Sequence, residues 1–559
     1  MKGEKNMKAK RLLTLLLALS MTAGLVACGG GGGGTAEQTL TTSLAEEPAT
    51  LDPSRCNDAV GDAILINVME PLIRIEQDEN GENVPTGAGA ETWESNEDGS
   101  VWTFHLRDNN WSDGQPVTAE DYVYGIQRIL DPEVGSPISF LLSDCIKNGN
   151  AVNTGEMPVS ELGVKALDEK TLEITLEGPT PYFLSLAYSK AMYPARQDIA
   201  ESLGDTYGAD AAGLVFNGPF VVTQWTHNSQ FVLEKNDSYW DKDNVSLDSI
   251  TYMIMGDENS RYNSFENGSL EIVTVGQPEW IDRFNQKDDV TFTEYVTPSV
   301  RFHFYNTQDP IFQNEKIRKA FTLALDRDDV VDTIYHGTML ASYSWVPQGV
   351  ASGETIPDYS AKGTAPLTTL IEENPDPKAL LLEGMEELGL GSDPSTLDIT
   401  FSFGGTTQWL RNYGEYLQAV YKEALGVQIE LEFNEWGTFQ SLINSGDYQV
   451  GYQVWSIDYN DPMAMLSLFV TNAGAIPTGW SNEEYDALVA QAGREMDDEA
   501  RLALYQQAEN ILVHDAGVVC PVVNETVNRF NYNYIQNLPT NYFASNNGGM
   551  KYVSIQQDS

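Results

Sequence analysis

The sequence predicts a mixed α/β fold with parallel strands, and three neighbouring segments carry this prediction. Apolar and polar residues alternate over Leu397–Phe403 and again over Val427–Phe433, which is the pattern of a half-buried strand. Between them, Gln408–Leu425 has the apolar spacing of a helix and ends at Gly426. A β-α-β unit of this kind places its two strands parallel and joins them by a right-handed crossover.

Further elements are expected on both sides of this unit. Asp376-Pro377 combines a cap residue with a first-turn proline and begins a helix that Gly389 ends. Glu499–Asp515 predicts one long amphipathic helix, and Gly517–Val523 predicts the strand that follows it.

An aromatic cluster lies between Thr92 and Pro132. Within it, Thr118 followed by Asp121 predicts a capped helix start. Clustered aromatic side chains usually belong to a core, so we expect burial of Trp93, Trp102, Phe104, Trp111 and Tyr122.

Length and charge limit the possible partners. The 559 residues suffice for three or four domain-sized units. With 82 acidic and 32 basic residues the formal net charge is −50, which repels phosphate backbones and excludes nucleic acid as a partner. The same charge disfavours anionic lipid surfaces unless a covalent anchor holds the protein there.

The first 28 residues predict such an anchor. Basic residues precede the apolar stretch Leu12–Leu25, which is short for a membrane span. Leu25-Val26-Ala27-Cys28 resembles the bacterial lipobox, in which the cysteine is acylated and becomes the mature N-terminus. The resemblance implies a lipoprotein signal peptide over residues 1–27, a lipidated Cys28 and a glycine-rich tether over residues 28–39. An ordinary cleaved secretion signal is the alternative.

Cysteine and metal chemistry contribute little to the prediction. Cys56, Cys145 and Cys520 are far apart, so we expect three buried free thiols, with one disulfide and one leftover thiol as the alternative. The five histidines are scattered, and no metal site or cofactor is predicted. The sequence also lacks the nucleophile-elbow, zinc-protease and phosphate-loop motifs, so no enzyme is predicted.

Three stretches carry a family resemblance. Their motifs are Ala90-Glu-Thr-Trp93, Trp102-Thr-Phe-His-Leu-Arg107, Trp111-Ser-Asp-Gly114, Val117-Thr-Ala-Glu-Asp121 and Arg128-Ile-Leu-Asp-Pro132, then Asn217-Gly-Pro-Phe220 with Trp225, Leu233-Glu-Lys-Asn236 and Tyr239-Trp240, and last Phe304-Tyr-Asn306, Ile317-Arg-Lys-Ala320 and Ala324-Leu-Asp-Arg327. In this order they resemble the family 5 extracellular solute-binding proteins, the oligopeptide, dipeptide and nickel receptors of ABC importers. The resemblance covers the chain from Leu51 nearly to its end.

A later segment is similar to the oligopeptide-binding branch of that family. It consists of Glu435-Trp436 and of Val454-Trp-Ser-Ile-Asp-Tyr-Asn-Asp-Pro462. The resemblance implies that Asp458 receives the α-ammonium group of a peptide. It also implies that the backbone at Val454 and Ser456 pairs with the peptide as an added strand, and that Trp436 and Trp455 wall side-chain pockets. A surface turn is the alternative, because Asp-Tyr-Asn-Asp-Pro also suits a loop.

The partner of the peptide carboxylate is less defined. Some relatives place basic residues between the positions that match Trp436 and Asp458, and this chain has none there. Arg411 could meet the carboxylate, or it is a solvated helix charge; the ligand could also be longer, blocked or not a peptide. Glu47 matches a pocket-edge acid of relatives, with a simple loop charge as the alternative.

For the whole chain, the resemblance implies an α/β, two-lobed periplasmic-binding-protein-like fold of class II type with an additional subdomain inserted in the first lobe. Lobe 1 would span residues 40–302 and contain the subdomain at about 72–200. Lobe 2 would span residues 303–525, and residues 526–559 would return to lobe 1. The chain would cross near Phe302–Thr307 and return near Val522–Arg529.

The implied function is that of a lipid-anchored monomeric receptor on the extracytoplasmic face of the bacterial membrane, or in the periplasm. It would bind oligopeptides between the lobes and deliver them to the permease and ATPase subunits of an ABC importer. One alternative keeps the fold and binds an oligosaccharide or a metal chelate. A secreted hydrolase is the other, for which the sequence offers no motif.

Overall fold

The computed structural model describes residues 37–77, 83–353, 355–540, 542–543 and 549–556. The expected signal peptide, Cys28 and most of the tether lie outside these ranges. Every element below belongs to one compact unit, Gln38–Ser559. Within the described ranges, no helix is both long and apolar enough to cross a membrane.

The strands are numbered in chain order. They are β1 (Thr39–Leu44), β2 (Ile73–Gln77), β3 (Asn83–Gly87), β4 (Ala90–Ser95), β5 (Val101–Leu106), β6 (Val164–Asp168), β7 (Thr171–Thr175), β8 (Phe220–Thr226), β9 (Gln230–Lys235), β10 (Ser249–Ile254), β11 (Ile272–Thr274), β12 (Val290–Tyr305), β13 (Leu340–Ala341), β14 (Ile399–Gly404), β15 (Ile429–Asn434), β16 (Val450–Ser456), β17 (Val519–Tyr532), β18 (Ile535–Gln536) and β19 (Ser554–Ile555).

The α-helices are numbered in the same way. They are α1 (Ala59–Val68), α2 (Ala119–Leu130), α3 (Phe140–Ser143), α4 (Gly149–Asn153), α5 (Phe183–Ala187), α6 (Gln197–Leu203), α7 (Glu258–Glu266), α8 (Pro278–Phe284), α9 (Glu315–Leu323), α10 (Arg327–Thr333), α11 (Pro366–Glu373), α12 (Pro377–Glu387), α13 (Gln408–Ala424), α14 (Trp436–Ser445), α15 (Met463–Leu466), α16 (Glu483–Ala492) and α17 (Asp498–Glu509). Short 3₁₀ turns, such as Lys190–Met192, and a π-helical turn, Asn510–Asp515, complete the helical segments.

Two four-stranded sheets precede β12. The first has the order β1-β10-β9-β8, with β1 parallel to β10 and the other neighbours antiparallel. The second has the order β4-β5-β7-β6 and is antiparallel throughout. Helix α2 packs on β6 and β7 of this second sheet.

The strands β12 and β17 are the long central members of a seven-stranded sheet. Its order is β11-β17-β12-β16-β14-β15, and β13 also pairs with β17. Residues 290–304 pair with residues 519–532 in antiparallel register, with register shifts between Val296 and Val300 and between Arg301 and Phe302. The second half of β17 pairs with β11 and its first half with β13, whereas the second half of β12 pairs with β16. This pair of strands therefore connects two α/β regions of the molecule.

The predicted β-α-β unit is present as β14-α13-β15. The two strands are parallel and pair from Ile399↔Ile429 to Gly404↔Asn434. The predicted helix at 376–389 is also confirmed, because the side chain of Asp376 caps α12 by accepting a hydrogen bond from Ala379 N. Both predictions rest on local patterns that tertiary contacts reinforce.

The predicted helix over Glu499–Asp515 is confirmed in its extent, but its last six residues are not α-helical. The α-helix ends at Glu509, and a wider π turn follows over Asn510–Asp515. In this turn the adjacent side chains of Leu512 and Val513 are both buried. The following strand also extends further than expected, from Val519 to Tyr532, because it pairs with β12 through a polar stretch that shows no apolar alternation.

The aromatic cluster is part of the core, as predicted. Phe104, Trp111 and Tyr122 are buried, and Trp93 and Trp102 pack partly buried against them. The predicted helix start is confirmed by a capping box at Thr118 and Asp121, which also accepts a hydrogen bond from Trp111 Nε1 at 3.2 Å. These aromatic side chains therefore shape the subdomain rather than a site.

The cysteines are buried free thiols, as expected: Cys56, Cys145 and Cys520. Burial raises the pKa of the Cys56 and Cys145 thiols to about 12, so both stay protonated at neutral pH. Low thiolate content makes them poor nucleophiles.

The last described segment is anchored near the first sheet. Lys551 is buried, and its Nζ lies 2.7 Å from Asp241 Oδ2 and over the ring of Trp240. Met550 N donates to Asn67 Oδ1 at 2.7 Å. These contacts fix Met550 and Lys551 against the first part of the chain.

We predict that Glu70→Gln destabilises the fold by about 3 to 5 kcal/mol, because it leaves the buried Arg74 without its counter-charge. Glu70 is fully buried and also accepts hydrogen bonds from Tyr239 OH at 3.1 Å and Trp240 Nε1 at 3.0 Å. Urea unfolding measures the change. Glu173→Gln is the control, because its partner Lys165 is largely exposed and such pairs contribute under about 1 kcal/mol. Equal losses in the two variants would contradict the prediction.

Candidate functional site

The strand β16 brings the predicted site segment to the middle of the large sheet. It runs antiparallel to β12, with Ser299 opposite Ser456 and Arg301 opposite Val454. On its other side it runs parallel to β14, but that ladder ends at Tyr452. The last residues of β16 therefore have a strand partner on one side only within the described pairing.

In an antiparallel pair, residues alternate between hydrogen-bonded and non-hydrogen-bonded positions, and this alternation decides where the backbone groups of β16 point. Ile457 N donates to Pro298 O at 3.0 Å, and these residues flank the pair Ser299↔Ser456, which makes it a non-hydrogen-bonded pair. Two residues earlier, Val454 is in the same phase. Val454 and Ser456 thus turn their N–H and C=O groups away from β12, toward the edge that the β14 ladder does not reach.

Asp458 lies just beyond the end of β16 and has no hydrogen bond or ion pair from any described residue. Desolvation raises the pKa of its carboxyl to about 6. Lys190 acts against this rise and Asp62 adds to it. An unpaired carboxylate of this kind is costly to keep ionised and is therefore ready to accept a cation.

The loop that carries Asp458 is held from both sides. Tyr459 stacks on Tyr182 with ring centres 5.2 Å apart, and Asn460 O accepts a hydrogen bond from Ser185 Oγ at 3.2 Å. Asp461, further along the loop, accepts from Tyr505 OH at 2.7 Å. These contacts restrain the loop that follows Asp458 and leave its carboxylate unoccupied.

A cavity of about 560 Å³ opens beside Asp458 and the free edge of β16. Its walls come from five separate parts of the chain: residues 57–66, 137–141, 188–193, 454–458 and 542–543. Much of the lining is apolar, including Ile66, Ile138, Phe140, Leu141 and Phe543.

The charged side chains among the described lining residues are Asp62, Lys190 and Asp458. Lys190 Nζ lies 2.8 and 3.1 Å from the two carboxylate oxygens of Asp62. Neither partner of this ion pair is predicted from the sequence, because the two residues come from distant segments and belong to no motif.

The structure places Trp455, Val454 and Ser456 in the cavity wall together with Asp458. Trp455 is half-buried, and its indole Nε1 is buried without a hydrogen-bond partner. Ser456 Oγ forms a hydrogen bond with Ser299 Oγ at 2.8 Å.

Trp436 is not part of this cavity lining. It is 55% exposed and packs against Gly404 at the end of β14, where a Cβ atom would lie 2.6 Å from its ring. Since β14 leaves the edge of β16 at this point, Trp436 lies near the other end of the uncovered strand edge.

Arg411 and Glu47 also lie outside the cavity lining. The exposed guanidinium of Arg411 stacks 4.9 Å from the ring centre of Phe433. The carboxylate of Glu47 accepts hydrogen bonds from Trp225 Nε1 at 2.6 Å and Asn228 N at 2.8 Å.

Arg301 is a basic residue near the strand edge that the sequence analysis missed. It lies opposite Val454 and shares a sheet face with it, and it forms an ion pair with Glu525 at 2.5 Å. Its Nη1 donates to Tyr452 OH at 3.1 Å. Within the described ranges, no group of three or more His, Cys, Asp or Glu side chains is arranged to hold a metal ion.

The fold and the site define the class of this protein as a two-lobed, periplasmic-binding-protein-like binding protein, and comparison with known proteins supports this class. The family model described as bacterial extracellular solute-binding proteins, family 5 Middle, matches residues 84–476. The dipeptide-binding protein DppE of Bacillus subtilis is 33% identical over 485 residues, which cover 86% of each chain. The oligopeptide-binding protein OppA of the same organism is 32% identical over 491 residues, again 86% of each chain.

Solved structures give the same result. The substrate-binding domain of an oligopeptide ABC transporter from Bacillus anthracis superposes with a TM-score of 0.78 at 30% identity, covering 94% of this chain and 99% of that one. Listeria monocytogenes OppA bound to peptide superposes with a TM-score of 0.78 at 28% identity, covering 94% and 100%. The chain therefore belongs to family 5 of the bacterial extracellular solute-binding proteins.

We predict that Asp458→Asn stabilises the ligand-free protein by about 1 to 3 kcal/mol at pH 7.5. The folded-state pKa of Asp458, about 6, lies above its usual value of 3.8. Above pH 6 the ionised carboxylate therefore destabilises the folded state relative to the unfolded state. This cost disappears below the unfolded value, so the gain should vanish near pH 4. Urea unfolding at the two pH values, after removal of bound ligand, measures it.

Asp257→Asn is the matched control. The side chain and backbone of Ser260 donate hydrogen bonds to Asp257 and lower its pKa, so this substitution should not stabilise the protein at pH 7.5. A destabilising effect of Asp458→Asn at pH 7.5 would show that the native carboxylate is paired.

Proposed function

We propose that this protein is an extracytoplasmic receptor that binds oligopeptides by their free amino end and delivers them to an ABC importer. The observation that carries the proposal is the unpaired carboxylate of Asp458, which lies in a cavity beside an uncovered strand edge. The similarity to dipeptide- and oligopeptide-binding proteins over most of the chain supports it.

The α-ammonium group of the peptide binds to Asp458. A desolvated carboxylate without a partner gains a counter-charge, and the ammonium finds an acceptor inside the cavity. Loss of one member of a buried pair of this kind costs about 3 to 5 kcal/mol, because the other charge stays buried and uncompensated. The amino end is common to all unblocked peptides, so this contact carries no sequence preference.

The peptide backbone pairs with the free edge of β16. The N–H and C=O groups of Val454 and Ser456 point toward this edge, and an extended peptide would satisfy them as an additional strand. Backbone pairing satisfies the polar groups of the ligand whatever its side chains are.

The cavity walls receive the peptide side chains. Trp455 and the apolar residues Ile138, Phe140, Leu141 and Phe543 surround the space next to Asp458, so a large apolar first side chain fits there. Trp436 lies at the opposite end of the strand edge from Asp458, so it borders a side chain further along the peptide, away from its amino end. Arg301 lies opposite Val454 and on the same face of the sheet, so its basic side chain is close to the strand edge that the peptide would pair with. Arg411 lies on α13 and contacts Phe433 instead.

The lobes close around the peptide and form the surface that the permease recognises. We place lobe 1 at residues 40–302 with its subdomain at about 72–200, lobe 2 at residues 303–525, and the return to lobe 1 at residues 526–559. The long strands β12 and β17 connect these regions, which supports the assignment. The acylated Cys28 and its glycine-rich tether hold the monomeric receptor at the membrane.

We predict that Asp458→Asn weakens binding of the unblocked tripeptide Phe-Ala-Ala by about 10²- to 10³-fold, the equivalent of 3 to 5 kcal/mol. N-acetyl-Phe-Ala-Ala should bind weakly to the parent protein and be insensitive to the substitution. Isothermal titration calorimetry at pH 8 measures both.

The exposed acid Glu386 provides the control, since Glu386→Gln should leave the affinity unchanged. Equal affinity of parent and Asp458→Asn for the unblocked peptide would remove the proposed site. Binding of an oligosaccharide or a metal chelate in place of peptides, or cleavage of the peptide by the pure protein, would overturn the proposed function.

We predict that peptide affinity falls as the pH decreases through about 6 and approaches a tenfold loss per pH unit below it. Binding an ammonium group requires ionised Asp458, whose pKa in the ligand-free protein is about 6. Calorimetry between pH 4.5 and 7 measures the profile, because the α-amino group of the peptide stays protonated below about pH 7. The Asp458→Asn variant should give a flat profile over this range; a flat profile for the parent protein would contradict the assignment.

A further inference from the structure

The cavity already contains an ammonium group of its own. Lys190 belongs to the 3₁₀ turn that follows α5, and its side chain lines the same cavity as Asp458. Electrostatic interaction with Lys190 acts on the Asp458 carboxyl, yet the two groups form no ion pair. A lysine at this place is a potential competitor for the position that a ligand ammonium takes.

Asp62 holds the lysine in its present position. Its two carboxylate oxygens lie 2.8 and 3.1 Å from Lys190 Nζ, and it projects from the first turns of α1. The Lys190 side chain is only 16% exposed, so the pair is largely withdrawn from water on the lysine side. A shielded ion pair of this geometry restrains a side chain that otherwise has four rotatable bonds.

Without this restraint Lys190 would have one other carboxylate in the cavity wall available to it, that of Asp458. An attached ammonium group competes with a free ligand at a high effective concentration, in the millimolar range or above. The receptor would then be occupied by its own side chain, and a peptide would have to displace it.

We propose that Asp62 is a positioning residue that holds the Lys190 ammonium away from Asp458 and so keeps Asp458 open for the ammonium group of the ligand. This inference rests on the proposed function, in which Asp458 receives the amino end. Together the three groups carry one net negative charge at neutral pH, which the ligand ammonium balances.

The test compares Asp62→Asn, Lys190→Gln and the double variant by calorimetry with Phe-Ala-Ala at pH 8. Asp62→Asn should weaken binding at least tenfold, because it releases Lys190 to pair with Asp458. Lys190→Gln should bind more tightly than the parent, because it removes the competing cation. The double variant should return to within about threefold of the parent, which a merely structural role of Asp62 would not produce.

The matched control is Glu266→Gln, which removes the partner of Arg283 at 2.6 Å outside the cavity and should not change the affinity. The inference is overturned if Asp62→Asn binds normally, if its loss persists in the double variant, or if Lys190→Gln binds more weakly. Asp458→Asn in the same assay separates the two proposals. If that variant loses affinity and Asp62→Asn does not, only the positioning role fails; if Asp458→Asn has no effect, the proposed function fails with it.

Discussion

The antiparallel register between β12 and β16 is the constraint on which the binding site depends. Because Ser299 lies opposite Ser456 in a non-hydrogen-bonded pair, alternate residues of β16 direct their backbone groups to the edge beside β14. A slip of one residue would reverse these directions and move the side chain of Val454 to the other face of the sheet. β16 ends at Ser456, and Asp458 follows it in the cavity wall.

The buried and half-buried charged groups of the molecule differ in whether they have a partner of opposite charge. Glu70 and Arg74 form a fully paired buried network in the core, whereas Asp458 has no partner among the described residues. The paired charges in the core stabilise the fold. The unpaired carboxylate of Asp458 can gain a counter-charge only when a ligand binds. Asp62 and Lys190 lie between these extremes, since they are paired with each other at the cavity wall.

Local patterns carried the sequence predictions that the structure confirms. Alternation, caps and glycines specify β14, α13, β15 and α12 within short segments. The π turn after Glu509 depends on tertiary burial, so no helical pattern reveals it. At the cavity, a contiguous motif carries Asp458 and Trp455, which both line the wall, whereas Lys190 and Asp62 are 128 positions apart and meet only in the folded chain. Arg411 and Glu47 lie outside the cavity lining, where they contact Phe433 and Trp225, and their roles in binding stay predictions.

Tyr542 and Phe543 add a late part of the polypeptide to the cavity wall, and the buried Lys551 and its partner Asp241 hold the chain end nearby. The opposite walls come from residues that are synthesised several hundred positions earlier. A nascent chain that lacks its last residues therefore has no complete cavity. Capture of ligand therefore requires that nearly the whole polypeptide has been synthesised and has folded around the cavity.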